Sequence, residues 1–278
     1  MMKAAPKLLP CLLAFMFLSP WGHAREQAAG QTAPGAESGK LVITADNALE
    51  WHRSEKYFVA LGNAKAVQKG TSIEAHSLKA LYKDEKGNSL DLRKIIARDN
   101  VVVQTPEAVA YGDNAEYDIA SGLAVMRGEN LELISEDYTV TAKDRFEYNV
   151  AQGVLTAHGG ARATSGENAL NAETLSATFE ERNGERTLEK IEAKNNIVVT
   201  TPAETVYGDK GIYRAETNTA DIYGNVRIER GPNVLEGARA QVNLSTNVSR
   251  ILGKSDGGAG DGVRVRGTFY PETLQEGQ

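Results

Sequence analysis

The chain has 278 residues, of which 41% are hydrophobic, 24% charged and only 6% aromatic, a mixture apolar enough to fold and too charged for a bundle of membrane helices. Lys and Arg total 31 and Asp and Glu 37, a net charge of −6, which argues against a nucleic-acid partner because duplex affinity rests on a basic footprint. A single cysteine excludes an internal disulfide and a zinc site built on several cysteines.

Residues 1–24 read as a cleavable secretory signal. Lys3 and Lys7 are basic, Leu8 to Leu18 is apolar apart from Pro10, and Gly22-His23-Ala24 offers small residues for cleavage before Arg25. The apolar run is about eleven residues long, roughly half of what a spanning helix needs. Its removal takes away two lysines and Cys11, leaving a cysteine-free chain with a charge of 29 − 37 = −8. Residues 25–40 hold almost no large apolar side chain and read as a flexible leader.

From residue 41 onward the chain repeats itself. Residues 94–128 and 190–224 share 14 identities in 35 positions without a gap, among them Thr105-Pro106 with Thr201-Pro202 and Tyr111-Gly112-Asp113 with Tyr207-Gly208-Asp209. Upstream, Ala60, Gly62, Ala64, Ala75 and Leu78 match Ala157, Gly159, Ala161, Ala172 and Leu175. This defines a body over 41–254, with tandem copies at about 42–137 and 138–233 and a partial third. A Gly-rich loop, a closing strand and a tail follow over 255–278.

Each copy divides again at Gly62-Asn63, Asp99-Asn100, Gly128-Glu129, Gly159-Gly160, Asn195-Asn196 and Gly224-Asn225. Gly, Asn and Asp tolerate positive φ, and these pairs are expected to be two-residue hairpin turns. The flanking segments alternate apolar and polar residues, as in Val226-Arg227-Ile228-Glu229, so the fold class is all-β and antiparallel. A finer signal lies in a change of phase. Ile73 and Ala75 are apolar in one register and Leu78, Ala80 and Tyr82 in the other; Leu170 and Ala172, then Leu175, Ala177 and Phe179, do the same. Such a switch needs an extra residue, a β-bulge, and repeated bulges curl a sheet. A stacked β-helix is the competing architecture; the variable spacing of the turn pairs disfavours it.

Catalytic signatures do not assemble. Gly253-Lys254-Ser255 lacks the earlier glycine of a phosphate loop, and Gly258-x-Gly260-x-Gly262 precedes a strand pattern instead of a helix. His52, His76 and His158 are isolated, so no metal site is expected. Asp113 and Asp209 occupy equivalent repeat positions after a glycine, and turn or bulge chemistry explains them better than a pair of catalytic acids. Neither an enzymatic activity nor a cofactor is expected.

Two segments carry a family likeness. Gly112-Asp113-Asn114-Ala115-Glu116-Tyr117 followed by Gly128, and Gly208-Asp209-Lys210-Gly211-Ile212-Tyr213 followed by Gly224-Asn225-Val226, resemble the OstA-like repeat. The ending from Gly262 to Pro271 is similar to the closing strand of the LptA members of that family. The likeness spans about residues 41–271, with Gly211 where the family has Ala and an array longer than its shortest members. It implies a twisted, half-open antiparallel β-jelly roll in the periplasm. Such a protein binds the lipid A acyl chains of lipopolysaccharide and bridges LptC at the inner membrane to LptD at the outer membrane. The resemblance puts the lipid along the inner strand face. With the alternation at 41/43 and 117/119 and the pairing of Tyr117 with Tyr213, that face is expected to hold Leu41, Ile43, Val103, Tyr117, Ile119 and Tyr213. The end strands near 41–45 and 263–270 carry nothing that strongly blocks pairing, so head-to-tail self-association is expected as well. A structural or adhesive β-repeat protein without lipid is the alternative.

Overall fold

The computed structural model describes residues 41–84, 90–182, 185–243, 245–246, 248–253 and 264–270. The expected signal segment, leader, Gly-rich loop over 255–263 and tail beyond 270 lie outside the described residues. Every regular element among the described residues is a strand, and every pairing whose register is resolved is antiparallel. The fold is therefore all-β, a jelly roll of long, bent strands. The described chain divides into two compact units, 41–161 and 162–270.

The first unit contains β1 (Val42–Thr44), β2 (Ala48–His52), β3 (Tyr57–Gln68), β4 (Thr71–Asp84), β5 (Leu90–Gln104) and β6 (Ala108–Asp118). It continues through β7 (Leu123–Arg127), β8 (Leu131–Ser135), β9 (Thr139–Ala142) and β10 (Arg145–Asn149), and the division falls within β11 (Val154–Ser165). β3 to β6 pair in sequence order, and each pairing shifts register near mid-strand: at Leu61/Ala64, at Glu74/Ser77 and at Arg98/Val101. Where a full break replaces the bulge, one strand becomes two. β7 and β8 pair with the two halves of β6, and β2 and β1 with the two halves of β3.

The phase switch read at 75–78 is thus a bulge, and its copy lies at Asn171/Thr174. The expected hairpin turns at Gly62-Asn63, Asp99-Asn100, Gly159-Gly160, Asn195-Asn196 and Gly224-Asn225 are corrected. Both residues of each pair have positive φ, but they sit inside strands. Gly128-Glu129 lies in the short break between β7 and β8. Two consecutive left-handed residues reverse a chain only where the strands end; within a ladder they insert a bulge and bend both strands. The actual reversals lie elsewhere, at Lys69-Gly70 between β3 and β4 and at Thr105-Pro106-Glu107 between β5 and β6. At the second, the Thr105 hydroxyl accepts the N–H groups of Glu107 and Ala108.

The bend is held by a recurrent clamp. Asn47, Asp113, Asp144 and Asp209 each press against a glycine fifteen residues later, at Gly62, Gly128, Gly159 and Gly224. The Asp113 carboxylate accepts the Glu129 N–H at 3.1 Å, and Asp209 accepts Asn225 Nδ2–H at 2.9 Å. The twin aspartates are accordingly bend residues, as the sequence suggested.

The second unit repeats the plan in β12 (Asn168–Arg182), β13 (Glu185–Thr200), β14 (Thr205–Arg214), β15 (Thr219–Arg230) and β16 (Asn233–Asn243). It ends with β17 (Val248–Leu252) and β18 (Arg266–Thr268), both of which pair with β16. Register shifts at Lys194/Ile197, Tyr207/Lys210 and Tyr223/Val226 mark its bend. Folding each sheet about its bend turns one face inward, and the inward rows form the core. In the first unit Ala60, Leu78, Ala97, Met126, Phe146 and Ala157 share one register row and are all buried. Alternate residues, charged and polar, face out.

Candidate functional site: the apolar inward face

Between the two halves of the first unit lies an apolar cleft of about 310 Å³. Leu41, Ile43 and Ala66 line it from one half of the bent sheet, and Leu49, Phe58, Ala60, Leu78, Ala80 and Ile95 from the other. The second unit has a cleft of about 340 Å³ at the corresponding place. Leu170, Ile197 and Val199 face Ile191, Ala193, Tyr213, Ala220 and Ile222 across it. Both figures include open solvent, and the space enclosed between the walls is only about that of a water molecule or two. The walls are mostly aliphatic because bulges let small residues, chiefly alanine, sit where the two halves approach.

Five of the six residues expected inside stand on inward rows, and Ile119 lies just past the end of β6. Leu41 and Ile43 line the first cleft. Val103 continues the row Ile43–Ala66–Ile73–Val103. Tyr117 continues the row Phe58–Ala80–Ile95–Tyr117 in the other half. Ile119 lies two residues further, its N–H donating to the Arg93 carbonyl at 3.0 Å. Tyr213 lines the second cleft and is 7% exposed. It packs with Leu188, Ala220 and Val242, its hydroxyl donates to Asn218 Oδ1 at 3.1 Å, and burial pushes its phenol up. The structure does not bring the six into one cleft: they are spread over two units and both halves of the first. Sequence reasoning missed Phe58, Leu78, Ala80 and Ile95 as neighbours of Ile43. The signal that would have found them is the fifteen-residue Asx–Gly spacing, which fixes the bend and with it the level of each row.

The rim of the first cleft is aromatic and wet. Trp51 stacks on Phe58 with centroids 5.2 Å apart, and its indole N–H donates to Tyr82 Oη at 2.7 Å. Arg53 lies 4.1 Å over the Trp51 ring. Trp51 is nevertheless 49% exposed and Leu49 58%, on the strand that opens the sheet.

The outward faces are electrostatic. In the second unit Asp221 is 3% exposed although it points away from the core. Two arginines roof it: Arg214 donates to Oδ2 at 2.9 Å and Arg239 to Oδ1 at 2.6 Å, while Gln241 adds a third donor at 3.3 Å. Covering the carboxylate pushes its pKa up, but the hydrogen bonds and charges of Arg239 and Arg214 together outweigh this and hold it below the ordinary aspartate value. A depressed folded-state pKa means stability that is complete above the unfolded value, about 4, and is lost as pH falls through the folded one. Asp221→Asn should therefore lower unfolding stability by about 2 kcal/mol at pH 7, the scale of a charge-assisted hydrogen bond. The deficit against wild type should shrink towards zero below pH 4. Urea unfolding at pH 7 and pH 3 measures both, and an equal deficit at the two pH values contradicts this role.

Comparison with known proteins gives two findings. The family described as "LptA/(LptD N-terminal domain) LPS transport protein" matches residues 42–144 and again 139–248. Among solved structures, the chain is similar to LptH, described as the LptA homologous periplasmic component of the conserved lipopolysaccharide transport device from Pseudomonas aeruginosa. The identity is 16%, the match covers 59% of this chain and 95% of that one, and the TM-score is 0.28. No curated protein sequence matches significantly.

Proposed function

Because the chain belongs to the LptA/LptD N-terminal family of lipopolysaccharide transport proteins, we propose that it is an exported, periplasmic lipopolysaccharide carrier whose inward face takes the lipid A acyl chains. The observation that carries this reading is the pair of clefts lined chiefly by aliphatic and aromatic side chains inside sheets whose outward faces are charged. Covering a CH₂ gains about 0.8 kcal/mol, so a fully covered twelve-carbon chain gains on the order of 9 kcal/mol. A bilayer offers about the same per CH₂. Lipid can then pass between membrane and protein with little net change, and no nucleotide site is needed. The basic and apolar pattern of residues 1–24 supports export. The two family matches support the division into copies at 42–137 and 138–233. In this reading the protein bridges LptC at the inner membrane to LptD at the outer membrane, associating head to tail through its terminal strands.

Photo-crosslinking tests the face assignment. With a photoreactive residue at 117 or 119, lipopolysaccharide should label; at Glu116 and Asp118, which alternate with them, it should not. Labelling confined to 116 and 118 reverses the assignment. Labelling nowhere, with native mass spectra free of lipid, favours the structural β-repeat reading instead.

A further inference from the structure

Among the described residues, β1 and β2 pair with β3 and with no strand on their other side, and β17 and β18 likewise pair with β16 alone. The repeat supplies an internal control for what the first edge lacks. β10 is the copy of β2 one repeat later, and it lies between β7 and β11. There Phe146 faces Met126 and is 4% exposed; the corresponding Leu49, with one neighbouring strand, is 58% exposed.

The bends fix how a second chain can supply the missing strand. In the first unit the inward row nearest the bend runs Leu49–Ala60–Leu78–Ala97. In the second it ends Gly211–Ile222–Ala240–Ile251. Ala97 and Ala193, two residues before their bend pairs, are repeat equivalents, and Ala193 pairs with Gly211. Leu49 and Ile251 therefore stand at equivalent positions relative to the bends of their own units. β17 runs towards the bend and β2 away from it, so the alternation of strand direction is preserved if they pair. Shifting the pairing by one residue would turn each row to the wrong face.

We propose that the joint between two copies of this chain has a single register, Leu49 opposite Ile251 and Glu50 opposite Arg250, with the Glu50–Arg250 pair selecting it. The inference rests on the head-to-tail reading above and deepens it. In that register Ser249 faces Trp51, and in the other half of the bent edge Gly267 faces Ile43. The latter continues the row Val206–Ile228–Leu235–Gly267. Glu50 is half exposed and, among the described residues, is held by neighbouring His52 at 2.7 Å. Arg250 is exposed and forms no ion pair among the described residues. Opposite charges directly across a strand pair attract and like charges repel. The contact is heterologous, so it extends beyond a dimer.

Charge reversal tests it by sedimentation velocity over a concentration series, with the emission of Trp51, the one tryptophan outside residues 1–24, as a second readout. Wild type should associate with a blue shift. Glu50→Arg and Arg250→Glu should each weaken association by about tenfold, the swing from attraction to repulsion. The double reversal should restore it, and so should mixing the two single variants. Both positions are exposed, and circular dichroism checks that the variants fold. If wild type associates but neither the double variant nor the mixture is rescued, the register is wrong while the head-to-tail reading stands. If wild type stays monomeric with unshifted emission, the head-to-tail reading falls and the register with it.

Discussion

Gly224→Val should lower unfolding stability by about 3 kcal/mol or more, combining backbone strain with overpacking. Gly224 has φ +75°, and a Cβ placed there would come 2.3 Å from Asp209 Oδ2. The neighbour cannot simply give way, because Asp209 is held by Asn225 across the bend. Valine adds its own cost, since a β-branched side chain is a severe outlier at positive φ. Gly231→Ala is the matched control. Its φ is +54° but nothing lies within 4 Å of the new Cβ, so only the left-handed penalty applies, about 1–2 kcal/mol. Urea unfolding separates the two. Equal losses at 224 and 231 would mean that the clamp contributes nothing and that the bend is kept by backbone conformation alone.

The same clamp shows what could be read from the sequence and what could not. Alternation makes the all-β class legible, and the phase switch at 75–78 makes its bulge legible, because side chains leave a strand with a fixed period of two. The left-handed pairs were legible as left-handed but not as bends. Asp99-Asn100 satisfies the chemistry of a hairpin tip as well as that of a bulge, and only the partner strand decides which it becomes. Here β5 runs straight through the pair because Arg98 and Val101 both find partners on β6. A turn would have stranded those backbone groups. The inward residues were half legible for a related reason. Parity assigns Ile43 and Tyr117 to a buried face, but the contact of Ile43 with Phe58 and Ile95 across the cleft depends on a fold about the bend that no local pattern encodes. Asp221 was not legible at all. Its counterpart in the first copy is Val125, and its arginine partners lie on two other segments.

Ile95→Asp should cost most of the lipid affinity, about ten- to a hundredfold, the equivalent of burying one large aliphatic side chain, and should do so in a pH-dependent way. Ile95 lines the first cleft from a central strand, between Ala80 and Tyr117 in its row. In the empty protein the introduced carboxylate lies beside an open cleft and can stay hydrated. With an acyl chain in place it would have to give up that water without gaining a partner, so lipid binding raises its pKa. A group whose pKa rises on binding favours the complex at low pH, so affinity for lipopolysaccharide should recover as pH falls from 8 towards 5 in the variant and not in wild type. Ile96→Asp provides the comparison. Ile96 is the next residue on β5 and faces Lys79 and Glu116 on the outward side, where a carboxylate is tolerated. Titration of a fluorescent lipopolysaccharide at several pH values, with thermal melts to show that both variants fold, distinguishes them. Undiminished binding by a folded Ile95→Asp protein, or an equal loss at 96, would place the acyl chains outside the bent sheet.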